Sequence, residues 1–167
     1  MKIAIIGAGN MGGSLARGFV KSGFITAENI FVTARHPESL KSYEAEGFSV
    51  STSECNAEVA GDADFVIIAV KPWLVEEVLC ELASQNVFEG RVVISVAAGL
   101  PWSDLSEKLL CKGLPLPSAM FYAIPNIAAQ MCASMTFVAP VNDMGGDTAK
   151  VLELFRCVGD VLLTDEA

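Results

Sequence analysis

Apolar runs of strand length recur along the chain, separated by stretches whose apolar positions repeat at helical spacing. Ile3 to Ile6 is the first run; Met11, Leu15, Phe19 and Val20 then recur at helical spacing until Gly23 ends the stretch. The same beat predicts a strand over 30–34 and a helix over 37–46 stopped at Gly47, then a strand over 48–51 and a short helix ending near Gly61. Residues 65–70 read as a strand leading to a helix that starts at Pro72, and 91–96 as a strand leading to a helix that starts at Pro101. Proline suits a first helical position because the N–H it lacks has no partner there. Beyond residue 113 the pattern changes: 118–124 and 134–139 read as strands that extend or edge the sheet, with a loop at Pro125-Asn126 between them. A helix over 148–157 and a strand over 160–163 follow. Strand–helix alternation of this kind implies an α/β fold, doubly wound, with helices on both faces of a mainly parallel sheet.

The first strand runs directly into Gly7-Ala8-Gly9-Asn10-Met11-Gly12. A G-x-G-x-x-G between a strand and a helix is the phosphate-binding turn of a Rossmann-type domain. Gly7 permits the turn, Gly9 leaves no Cβ between backbone and phosphate, and Gly12 lets the helix lie close on the strand. The unpaired N–H groups of the helix then face the anion.

The 167 residues suit one domain, and no repeat, low-complexity segment or linker divides 1–167. Charged residues make up 19% and apolar ones 52%, against typical values of about 25% and 45–50%, so some apolar surface is expected to meet a partner. A formal charge of −9 with no basic run argues against a nucleic-acid surface. The longest apolar runs are strand-sized, well short of the roughly 20 residues of a membrane helix, and the glycine turn interrupts any signal-like start. A cytoplasmic protein is expected. The five cysteines lie more than 20 residues apart, with no CxxC pair, which points to neither a zinc site nor a disulfide framework. His36 is the one histidine, so a multi-histidine metal site is excluded, and it reads as a solvated loop residue.

The second strand ends at Thr33, Ala34 and Arg35, where an NAD-preferring site would carry a carboxylate for the ribose hydroxyls. A guanidinium stands there instead. NADP is therefore favoured, with Thr33 and Arg35 as contacts for the 2′-phosphate. Ligands of open α/β sheets lie beyond the carboxyl ends of the strands, which adds Ala69, Val70, Lys71 and Pro72, and Val96, Ala97, Ala98 and Gly99. Small residues there admit the cofactor's ribose and nicotinamide, and Lys71 offers a charge near ribose or pyrophosphate.

GAGNMG at 7–12, Asn56-Ala57-Glu58, AVKP at 69–72, AAG at 97–99 and Pro125-Asn126, in this order, resemble the cofactor domain of the pyrroline-5-carboxylate reductase family across the whole chain. The resemblance implies that Ala8, Asn10 and Met11 line the cofactor with the glycines, and that Asn56 reaches its adenosine side. It implies likewise that Val70, Lys71, Ala97 and Ala98 border ribose and nicotinamide. Members of that family pass hydride from NAD(P)H to the carbon of a cyclic imine, giving L-proline. Their second, all-helical domain forms the dimer and holds the substrate; this chain is expected to lack it, as a fragment or a shortened relative. The family's Arg-x-Met-Pro-Asn-Thr-Pro is here Tyr122-Ala123-Ile124-Pro125-Asn126-Ile127-Ala128, which bears on substrate choice and leaves Asn126 as the one polar side chain to favour there. No catalytic acid and no metal ligand is identified. Two other readings stay open: a non-catalytic NADP-binding module, and a reductase of another imine or of a small keto or hydroxy acid.

Overall fold

The computed structural model describes residues 1–165, so the last two residues of the expected 1–167 domain lie outside it. The elements are β1 (Ile3–Ile6), α1 (Asn10–Lys21), β2 (Ile30–Ala34), α2 (Lys41–Ala45), β3 (Ser49–Thr52), α3 (Asn56–Gly61), β4 (Phe65–Ile68) and α4 (Val75–Ser84). There follow β5 (Val92–Ser95), α5 (Trp102–Cys111), β6 (Ala119–Ile124), β7 (Ser134–Asp143), α6 (Thr148–Arg156) and β8 (Gly159–Leu163).

All four residues of β1 are buried, at 0–1% exposure, because the strand is covered on both faces. Ile3 and Ile5 point into a core that α1 and α6 close, where the rings of Phe19 and Phe155 meet edge to face, 6.3 Å apart. Ala4 and Ile6 point into the opposite core, filled from α4 and α5 by Val78, Leu79, Leu82, Leu105 and Leu109. One eight-stranded sheet results, in the order β3-β2-β1-β4-β5-β6-β7-β8. The strands from β3 to β6 are parallel, as the strand–helix alternation predicts. β7 runs antiparallel to β6 and β8 parallel to β7, so the last two strands reverse direction and extend one edge.

Several boundaries differ from the sequence expectation. β4 and β5 are shorter than 65–70 and 91–96. Residues 37–40 form a 3₁₀ turn before the short α2, Pro72 opens a 3₁₀ turn ahead of α4, and Pro101 caps α5 from outside its first turn. The expected loop at Pro125-Asn126 continues into a 3₁₀ turn over Ile127–Met131, which packs on α1 where Gly18 leaves room for the backbone of Ala129. β7 runs to Asp143, past the predicted end at 139, because its pairing with β6 continues to Asp143 opposite Ala119.

Asp143 then folds back on the start of α6. Its carboxylate accepts from the amides of Asp147 (2.6 Å) and Thr148 (3.1 Å) and from the Thr148 hydroxyl (2.6 Å). Burial opposes its charge, but the Thr148 hydroxyl and the amides of residues 146–148 outweigh that and hold the carboxyl below the usual aspartate range. A lowered folded-state value stabilises the protein at neutral pH, and this contribution disappears as pH falls through that value. Asp143→Ala is expected to cost about 1 kcal/mol at pH 7, read by denaturant unfolding, with the difference from the parent closing as pH falls below the usual aspartate range.

Candidate functional site

The turn after β1 is held by the sheet and crowded by its neighbours. The Gly7 amide donates to the Thr33 carbonyl at 3.1 Å, and the Ala69 amide donates to the Ile6 carbonyl at 2.9 Å. Gly7 has φ +114°, and a Cβ there would lie 2.8 Å from the Ala69 carbonyl oxygen. A Cβ on Gly12 would collide with the Gly7 carbonyl. At Gly9 a Cβ would meet nothing within 4 Å, so the space outside this backbone is open to a ligand. Gly9 is also the N-cap of α1, which has no side-chain cap and no acidic residue in its first turn. The leading amides of a 12-residue helix thus face an exposed cradle suited to an anion.

A cluster behind the turn supports it. The Tyr43 hydroxyl donates to the Ala8 carbonyl at 3.3 Å, and the Arg17 guanidinium lies 4.7 Å above the Tyr43 ring while pairing with Glu46 through two contacts of 2.8 Å. Burial raises the Tyr43 phenol above its ordinary range despite the opposing Arg17 charge, so it remains a donor at neutral pH.

Two cavities open along the carboxyl ends of the strands. The first, about 150 Å³, brings together Gly7, Thr33, Ala34, Arg35, Asn56 and Val70 from the residues expected in the sequence. Ile6, Ser53 and four residues of the α4 segment, Leu74, Glu77, Val78 and Glu81, complete its lining. Arg35 is exposed and forms no salt bridge with another described residue. Thr33, expected as a phosphate contact, is 1% exposed, and its hydroxyl donates to Asn56 Oδ1 at 2.7 Å. Its role is therefore to orient Asn56, which is itself 3% exposed and donates from Nδ2 to Glu81 Oε2 at 3.3 Å.

The second cavity, about 360 Å³, lies over β6 and β7 beside the loop after β5 and includes Ala97, Ala98 and Gly99. Tyr122 lines it and donates from its hydroxyl to the Leu100 carbonyl at 2.5 Å, tying that loop to β6. Asn126 is not part of this lining: its Oδ1 accepts from the Ala128 amide at 3.0 Å and caps the 3₁₀ turn. Ala69, Lys71 and Pro72 line neither of the two cavities, with Lys71 exposed, while Ala8, Asn10 and Met11 belong to the glycine turn. His36 is exposed at the start of the 37–40 turn.

The α4 lining was not anticipated, although positions 74, 77, 78 and 81 follow one helical stripe. No group of three or more His, Cys, Asp or Glu suited to a metal ion occurs among the described residues. No helix among them is long and apolar enough to cross a membrane.

A glycine turn feeding a helix at the carboxyl edge of a doubly wound sheet defines the class of Rossmann-type α/β domains. Residues 2–99 match the family model described as NADP oxidoreductase coenzyme F420-dependent, and the chain belongs to that family. It is similar over 99% of its length, at 37% identity, to the pyrroline-5-carboxylate reductase of Methanosarcina acetivorans, covering 59% of that protein. To the Escherichia coli pyrroline-5-carboxylate reductase it is 34% identical over 95% of its length, covering 57% of that protein. The solved structure of a pyrroline-5-carboxylate reductase from Coxiella burnetii superposes with a TM-score of 0.80 at 28% identity, covering 99% of this chain and 59% of that one. The Plasmodium falciparum pyrroline carboxylate reductase with NADP bound has the same fold, with a TM-score of 0.80 at 22% identity, covering 99% of this chain and 58% of that one. The chain thus spans about three-fifths of the length of these relatives.

Gly9→Ala is expected to leave stability within about 0.5 kcal/mol of the parent while abolishing dinucleotide binding in a calorimetric titration. Gly12→Ala forces a Cβ onto the Gly7 carbonyl and is expected to lower stability by roughly 1–3 kcal/mol, read by thermal unfolding, as well as removing binding.

Proposed function

We propose that this chain is the NADPH-holding part of a reductase that converts 1-pyrroline-5-carboxylate to L-proline. The observation that carries the proposal is the open cradle at Gly9, at the mouth of α1 and next to a recess that ends in Arg35. The names of the relatives supply the substrate class.

The first amides of α1 would hold the pyrophosphate, and Arg35 the 2′-phosphate. Ala97 and Ala98 would allow the nicotinamide close to the backbone, where the Tyr122 hydroxyl fixes the adjoining loop through the Leu100 carbonyl. When bound, the reduced nicotinamide supplies the hydride for the imine carbon. The protein's contribution is to set face and distance.

A second, helical domain that completes the substrate pocket and pairs two subunits belongs to the same reading. Ile124 and Phe137, 53% and 41% exposed, border the second cavity, and Ile127 and Met131, 67% and 64% exposed, lie on the 3₁₀ turn that follows β6. Apolar exposure of this kind supports a covering partner. A cytoplasmic location belongs to the same reading.

Arg35→Ala is expected to weaken NADPH about ten- to a hundredfold and to leave NADH nearly unchanged, since a charge-assisted hydrogen bond contributes roughly 1.5–3 kcal/mol. Equal losses for both nucleotides contradict the phosphate contact. The substrate is tested by following NADPH oxidation with pyrroline-5-carboxylate on the product of the complete gene; absence of turnover contradicts the assignment.

A further inference from the structure

We propose that Glu81 reads the adenine base of the cofactor, accepting a hydrogen bond from the exocyclic amine at the α4 end of the small recess. The inference rests on the NADPH reading above and adds to it the residue that selects the base.

Leu74, Glu77, Val78 and Glu81 lie at i, i+3, i+4 and i+7, so one stripe of the α4 segment forms that wall. Leu74 and Val78, together with Val70, offer apolar surface to the face of a flat ring. At about 150 Å³ the recess is roughly half the volume of a small whole-ligand pocket, a size for one end of a dinucleotide. Its two ends differ in charge. Arg35 marks the β2 end as the place for a phosphate, and a phosphate is repelled from the α4 end by Glu77 and Glu81. What enters the acidic end must donate hydrogen bonds.

Glu81 is the better placed of the two acids. It is half-buried, whereas Glu77 is exposed, and its Oε2 is anchored 3.3 Å from Asn56 Nδ2. Asn56 is fixed in turn by the Thr33 hydroxyl, which donates to Oδ1 at 2.7 Å and so orients the amide nitrogen toward Glu81. No salt bridge with another described residue neutralises Glu81. An ionised carboxylate is acceptor-only and retains capacity for a second donor. Adenine presents an amine at its sixth position; hypoxanthine presents a carbonyl oxygen there, which would oppose acceptor to acceptor.

The test is a titration of the full chain with NADPH and with its hypoxanthine analogue. The parent is expected to prefer NADPH at least about tenfold, and Glu81→Gln, which has the same shape but offers both a donor and an acceptor, to reduce that preference to about twofold or less. Equal affinity of the parent for the two nucleotides overturns the assignment and leaves the NADPH reading standing, as does a preference that survives in Glu81→Gln. Failure of the parent to bind either nucleotide overturns both.

Discussion

At Gly7 the backbones of β1, α1 and β4 meet with no side chain between them, and the arrangement of the site depends on that contact. The parallel register of β1 and β4 sets Ile6 beside Ile68 and brings Ala69 against the turn. The helix can then start close to the sheet only because Gly12 presents no Cβ to the Gly7 carbonyl. A looser junction would point the first amides of α1 elsewhere and disperse this preorganised anion-binding feature. Tyr43 and Arg17 brace the turn from behind, so its shape is supported by tertiary contacts as well as by glycine.

From that junction the site divides into two unlike compartments. On the β2 side lies a small recess with a guanidinium at one end and carboxylates at the other; on the β6 side lies a larger, mostly apolar one beside short side chains. A dinucleotide has the same asymmetry, with a phosphorylated adenosine at one end and a flat reactive ring at the other. The hydrogen-bonded series Thr33–Asn56–Glu81 links the end of β2 to α3 and α4 and holds the smaller compartment to one shape.

Repetition made the fold readable from the sequence. Buried parallel strands must be apolar on both faces, so Ile3–Ile6 and Phe65–Ile68 stand out from the amphipathic helices around them, and the glycine turn is legible because only glycine fits its close approaches. The reversal at β7 is less legible, since direction is not written in an apolar run; 134–139 reads as a strand, but its orientation comes from the chain turning back through Ile127–Met131. At the site, backbone-defined positions were easier to read than side-chain-defined ones. Thr33 and Asn126 look from sequence like ligand-facing polar groups, yet each is engaged within the protein, the first with Asn56 and the second with its own turn. Glu81 is illegible in the sequence for the opposite reason: an acid on an amphipathic helix resembles ordinary solvated surface until tertiary structure sets Asn56 beside it.

The reversed direction of the last strands has a practical corollary. Because β8 runs alongside β7, Thr164 bonds back to Val138, and Thr164 and Asp165 border the larger compartment; Met1 sits at the far end of the sheet beside Asp64. An affinity tag or immobilisation handle attached after residue 165 would therefore hang over the mouth of the site, whereas the same handle fused ahead of Met1 would leave it open to titrants.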